Sequence, residues 1–113
     1  MVMVYKVCHA APWRAAEMAG VYDGSPVDYR DGFIHFSTAE QVRETVARHF
    51  RDFNDLVIVA VDSAALGDRL RWEPSRGGAL FPHLYGPLPM AAVRKVEPLP
   101  REESGVHRFP DLD

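Results

Sequence analysis

Leu56 to Val61 (LVIVAV) is six apolar residues in a row, with Asn54-Asp55 before it and Asp62-Ser63 after it. An apolar run of this length between turn signals reads as a buried strand, so the chain must fold around a sheet that covers it. Met1 to His9 (MVMVYKVCH) is a second such segment, dense in β-branched and aromatic residues. Its apolar positions do not alternate, which suits a strand covered on both faces.

The chain has 113 residues, 47% of them hydrophobic and 11% aromatic, which is enough for one domain with a real core. Thirteen Lys and Arg are scattered among 16 acidic residues, for a formal charge of −3. Bulk charge therefore argues against a nucleic-acid partner, which calls for a basic stripe. The single cysteine, Cys8, excludes an internal disulfide and fits a reducing compartment. No charged segment followed by an apolar one opens the chain, and no apolar run approaches the roughly 18 residues of a membrane span. The expectation is a soluble, cytoplasmic protein without membrane contact.

Pro12 suits the first turn of a helix and Gly20 its end, so Pro12 to Ala19 is a predicted helix anchored by Trp13. Val21 to Arg30 carries Asp23-Gly24 and Ser25-Pro26 and reads as a turn-rich loop. Asp31-Gly32 is a turn signal and Phe33 to Phe36 a short strand. Ser37 and Glu40 have the spacing of a capping box, opening a helix over Thr38 to Phe50 with Val42, Val46 and Phe50 on its apolar side. Asp62 caps a short turn over Ser63 to Leu66. Arg69 to Glu73 alternates as a half-buried strand, with Leu70 and Trp72 inward. Pro74 to Ala79, with Gly77-Gly78, reads as a mobile loop. Leu80 to Pro89 (LFPHLYGPLP) has three prolines, which excludes an ordinary central strand. Met90 to Leu99 resumes a strand pattern. Residues 1–99 thus form one α+β domain, and residues 100–113 an extended or frayed tail.

Three histidines, His9, His35 and His83, lie at predicted strand ends or in the proline-rich segment, whereas His49 sits on a helix and His107 in the tail. Imidazole serves as acid, base, metal ligand or hydrogen-bond donor, and three near turns point to a shared cleft. Glu73 at a strand end and Tyr85 in His83-Leu84-Tyr85-Gly86 are the neighbouring candidates, with Ser37 at the helix start. Taken singly, each histidine has a simpler reading as a half-buried strand residue, Ser37 as a cap, and Tyr85 and Phe36 as core. Cys8 and His9 are strand neighbours pointing to opposite faces, which argues against a nucleophile pair. His9, His35, His83 and Glu73 suit zinc by ligand type, yet no element supplies two ligands at close spacing, so no metal is expected. Phosphate-loop and dinucleotide-fold glycine motifs are absent.

Val4-Tyr5-Lys6-Val7-Cys8-His9, Asp31-Gly32-Phe33-Ile34-His35-Phe36-Ser37-Thr38 and Phe81-Pro82-His83-Leu84-Tyr85-Gly86-Pro87-Leu88 resemble a mainly bacterial family known as domain of unknown function 952. The resemblance spans the chain to about Leu99, and it implies the fold of ADP-ribosyltransferases. That means a mixed, split β-sheet core with two main helices, clamping NAD or an ADP-ribose metabolite. On this resemblance His9 bonds a ribose hydroxyl, and His35 stands where a tyrosine stacks on nicotinamide. Ser37 and Tyr85 join His9 in holding the ligand. His83 falls where the catalytic glutamate is expected, with Glu73 on the preceding strand. His35, His83 and Glu73 are then the expected catalytic set, for ADP-ribosyl transfer or for phosphoryl transfer or hydrolysis. Two alternatives are a non-catalytic binding module whose cleft is filled by Phe36 and Tyr85, and a metal-dependent hydrolase using His and Glu.

Overall fold

The computed structural model describes residues 2–112; Met1 and Asp113, the outer ends of the predicted first strand and of the tail, lie outside it. Strand β1 (Met3–His9) runs straight into helix α1 (Ala10–Ala19), followed by β2 (Val21–Tyr22), α2 (Pro26–Asp31), β3 (Ile34–His35) and α3 (Val42–His49). The second half is β4 (Leu56–Asp62), β5 (Leu70–Pro74), β6 (Leu80–Leu84), β7 (Leu88–Pro89) and β8 (Val93–Leu99). Short 3-10 turns cover Ser63–Arg69, Arg76–Gly78 and Met90–Ala92.

The strands form two three-stranded sheets, ordered β1-β4-β8 and β3-β6-β5, and a β2-β7 pair. The larger sheets meet where Tyr5 and Ser37 exchange backbone hydrogen bonds of 2.8 and 2.9 Å. All seven residues of β4 are buried, as its apolar run requires. Strand alternation divides them between two cores. Val57, Val59 and Val61 pack with Val4, Cys8, Trp13, Tyr22 and Leu84 on one face. Leu56, Ile58 and Ala60 pack with Tyr5, Val7, Val42, Val46 and Leu99 on the other. Each fully buried branched side chain contributes about 1.5–3 kcal/mol, so the doubly covered strand is the chief source of stability. Trp13 anchors α1 as expected, at 1% exposure.

Several expectations are corrected. The sheets are antiparallel in every described pairing, not mixed. Between β5 and β6, for example, only residues 75–79 intervene, too few for the dozen or more residues of a parallel crossover. Among the described residues a third, shorter helix joins the two predicted ones: the predicted loop contains α2. Ser25 caps it, Pro26 opens it, Asp28 at its third position closes a capping box, and Gly32 ends it at φ 85°. The Ser37–Glu40 box does not form. Ser37 is drawn into the sheet by Tyr5, and the reciprocal bonds shift one residue on, to Thr38 and Gln41 (3.0 and 3.2 Å). Helix α3 begins at Val42 accordingly.

Strand β6 is central in its sheet despite Pro82. The Pro82 carbonyl accepts from Phe36 N at 3.0 Å, so its nitrogen faces the end of β3, where pairing stops after His35. The missing N–H therefore costs only the last rung of the ladder, at the end of β3. Trp72 is 41% exposed, not inward, because β5 is the outer strand and only Leu70 packs against the core. The loop expected to be mobile holds a 3-10 turn whose Arg76 is tied to Glu44 at 2.9 Å. Among its described residues the tail has no helix or strand but is tied down. Arg101 bridges His107, the buried His107 ring bonds the Phe53 carbonyl at 2.6 Å, and Phe109 and Leu112 pack on the second core. Among the described residues no helix is long and apolar enough to cross a membrane.

Candidate functional site

Where the two sheets part beyond the Tyr5–Ser37 bridge, a cleft of about 650 Å³ opens, lined from β1, α2, α3, β6 and their flanking segments. His9, His35, His83 and Ser37 all line it. Glu73 and Tyr85 do not. They stand behind His83, joined to it through one carboxylate oxygen. Phe36 is buried at 2% exposure and Tyr85 is 37% exposed, so Tyr85 does not fill the cleft.

Each of the three histidines has its Nδ1 bonded to a carboxylate. His35 Nδ1 lies 2.6 Å from Asp28 Oδ1. His83 Nδ1 lies 2.8 Å from Glu73 Oε1, which also accepts from the Tyr85 hydroxyl at 2.7 Å. His9 Nδ1 is 3.0 Å from both oxygens of Asp55. A carboxylate only accepts, so Nδ1 is the protonated nitrogen in each ring, and Nε2 is the atom left for a ligand. For His9 and His83, Nε2 has no partner among the described residues. His35 differs, since its Nε2 meets Asp31 Oδ2 at 2.9 Å.

The His35 end is the most heavily built. Asp28, with its side chain 1% exposed, accepts from Lys6 Nζ (2.8 Å), His35 N (3.1 Å), Ser25 N (2.8 Å) and Ser25 Oγ (3.0 Å) besides the His35 ring. Burial pushes the Asp28 carboxyl upward, but the His35 hydrogen bond and the Lys6 charge outweigh it and hold the group well below the usual carboxylate range. Burial in turn pushes the Cys8 thiol up to about 11, so it stays protonated and is no nucleophile. Phe33 stacks on His83 at 4.1 Å and touches His35 at 4.5 Å, which fixes both ring planes. The two imidazoles are 5.6 Å apart as a register pair of β3 and β6.

On the same face of β6, two residues from His83, Phe81 carries the Arg76 guanidinium 4.8 Å above its ring. Arg76 also donates to Thr45 Oγ1 at 3.3 Å, and Thr45 meets Ser37 Oγ at 3.0 Å. Lys6, Arg30 and Arg76 line the cleft against one acidic residue, Asp31. At the His9 end the walls are aromatic: Phe53 stands edge-on to His9 at 4.8 Å, and Phe50 at 6.5 Å.

Lys6, Asp28, Asp31, Arg76 and Phe33 were not among the residues singled out from sequence. Lys6 had a readable signal, as the one charge inside an apolar strand, where a buried ammonium requires a partner. Asp28 had another, three residues after Ser25 with Pro26 between. Among the described residues no three His, Cys, Asp or Glu side chains gather in a group suited to a metal ion.

Two antiparallel sheets joined at one bridge, with a polar cleft where they separate, define the class: a small α+β domain with its site at the sheet junction. The chain belongs to the family described as "Protein of unknown function (DUF952)", whose model matches residues 7–96. The crystal structure of protein CC0527 from Caulobacter crescentus is similar at 46% identity and TM-score 0.90, over 94% of this chain and 93% of that one. The solution NMR structure of CC0527 is similar at 47% identity and TM-score 0.84, over 94% and 91%. Among curated proteins none matches significantly.

Proposed function

We propose that the cleft binds NAD or a related ADP-ribose metabolite, on an ADP-ribosyltransferase-like arrangement of the two sheets. The observation that carries this reading is that His9, His35 and His83, 26 or more residues apart in the chain, line one cleft. A dinucleotide needs flat apolar contacts for its rings and cations for its phosphates. Phe50 and Phe53 beside His9 supply the first, and Arg30 and Arg76 supply the second. On this reading Ser37 and the Nε2 of His9 bond ribose hydroxyls, and His35 and His83 move protons, in ADP-ribosyl transfer or in phosphoryl transfer or hydrolysis. Tyr85, outside the cleft lining, joins the site through its hydrogen bond to Glu73.

Calorimetric titration with NAD and with ADP-ribose tests the reading. Saturable binding that weakens in His9→Ala and His35→Ala is the expected result. No heat at millimolar ligand, or affinity unchanged in both variants, refutes it. A cleft filled by Phe36 and Tyr85 would have favoured the non-catalytic alternative; Tyr85 lies outside the lining, and binding without turnover in the same titrations is the result that favours that alternative.

A further inference from the structure

The geometry points to cleavage at phosphorus in this cleft: hydrolysis of a phosphoanhydride, with His83 as general base and His35 as general acid. The inference rests on the ligand reading above and narrows its chemistry.

The two histidines are held by different sets of partners. Both nitrogens of His35 face carboxylates, Asp28 at 2.6 Å and Asp31 at 2.9 Å, and acceptors of this kind require both nitrogens to donate. Satisfying both contacts puts a donor at each nitrogen of His35, so its Nε2 is the proton-bearing atom presented at the cleft surface. His83 has one carboxylate, on Nδ1, and its Nε2 lone pair has no partner among the described residues. A proton donor and a proton acceptor thus stand 5.6 Å apart, ring to ring. That spacing suits an in-line displacement, whose entering and leaving oxygens need opposite proton traffic.

Charge decides where the bond is broken. Attack at a ribosyl carbon passes through an oxocarbenium cation, which needs a carboxylate beside it. Glu73 faces away, committed to His83 and Tyr85, and Asp31, the acidic residue of the lining, is bonded to His35 and to Arg30 (3.0 Å). The lining otherwise presents Arg30 and Arg76, with Lys6 paired to the buried Asp28. Such a surface destabilises a developing cation and stabilises a phosphoryl group, whose negative charge is spread over its oxygens. Arg76 is also pre-oriented by Glu44, Thr45 and the Phe81 ring, one strand step from His83.

The step balances with water as the sole co-reactant. The oxygen of water attacks phosphorus, and one of its protons passes to Nε2 of His83. The phosphorus–oxygen bond to the leaving phosphate breaks, and its electron pair stays on the leaving oxygen. That oxygen replaces Asp31 as the acceptor of the His35 Nε2 proton. Two phosphate monoesters result, and solvent exchange resets both rings. Glu73 is a positioning residue: it fixes the His83 tautomer.

The experiment incubates the full chain with ADP-ribose and with NAD in oxygen-18 water and reads products by mass spectrometry. Expected from both are adenosine monophosphate and a second monophosphate, with one heavy oxygen in a phosphate and no free nicotinamide. His83→Gln and His35→Gln each lower the rate by about 10²–10⁴-fold. Glu73→Gln lowers kcat at unchanged KM and moves the acid limb of the pH–rate profile, which a purely structural role leaves in place. Circular dichroism verifies that the variants are folded, and the wild-type product analysis does not depend on them. Free nicotinamide, heavy oxygen on ribose, or calorimetric binding without cleavage overturns the inference while leaving the ligand reading intact. Absence of binding overturns both.

Discussion

Asp28 Oδ1 lies 2.6 Å from Nδ1 of His35, and the same carboxylate lies 2.8 Å from Nζ of Lys6. One buried aspartate thus ties β1, α2 and β3 together at the edge of the cleft. The arrangement links fold to site, because the group that orients a candidate catalytic ring also neutralises a lysine inside the sheet. Removing one partner of a buried pair leaves the other charge without compensation, at a cost of about 3–5 kcal/mol. Asp28→Asn should lower the unfolding free energy by that amount. Urea denaturation reads it as a reduced midpoint at unchanged slope. A change below 1 kcal/mol contradicts the role given to this pair.

The same carboxyl sets a pH dependence. Its ordinary value is 3.8; burial raises it, while the His35 hydrogen bond and the Lys6 charge lower it further than burial raises it. The folded state therefore holds the proton less tightly than the unfolded chain. The stabilisation is complete above about pH 5 and is lost as pH falls through the unfolded and then the lower folded value. Wild-type stability should decline on acidification from about pH 5 to pH 2, with a smaller slope in Asp28→Asn. Parallel slopes in the two proteins refute the assignment.

The start of α3 offers a second stability test. Thr38 and Gln41 exchange the capping bonds, and Glu40 is exposed with no capping contact. Thr38→Ala should cost about 1 kcal/mol, as the loss of a helix cap usually does. Glu40→Ala should stay within about 0.5 kcal/mol of wild type. Thermal melts of the two variants distinguish this cap from one formed by Ser37 and Glu40, for which the order of effects is reversed.

The two buried strands and the anchors Trp13, Val42 and Val46 were legible because hydrophobic periodicity responds directly to burial. What escaped was decided by partners distant in the chain. Ser37 has the chemistry of a cap, but backbone bonds to Tyr5 claim its N–H and carbonyl, so the helix start moves. Pro82 reads as a strand breaker until the end of β3 shows that its missing N–H falls at the last rung, where pairing stops. The histidines could be nominated by position, but not their carboxylates, since Asp55, Asp28 and Glu73 are 46, 7 and 10 residues from His9, His35 and His83. Lys6 was the clearest signal left unused. A lysine within VYKVC lies inside a covered sheet and must have a counter-charge somewhere.

Glu73 can be tested without any ligand. It is held below the usual carboxylate range by the His83 hydrogen bond and then by the Tyr85 hydroxyl. Reciprocally, that hydrogen bond raises the Tyr85 phenol above its ordinary 10.0, because Glu73 accepts from the neutral phenol and repels the phenolate. Arg71, 5.1 Å over the Tyr85 ring, pulls in the opposite direction and is outweighed. Glu73→Gln keeps an acceptor but removes the charge, so the Tyr85 titration should move down towards 10. Ring-carbon NMR resolves Tyr85 from Tyr22, which burial also raises. The His83 ring should respond in the same spectra, since a neutral amide no longer demands a proton on Nδ1. A Tyr85 titration unmoved by the substitution places the carboxylate elsewhere in solution and removes the brace assigned to His83.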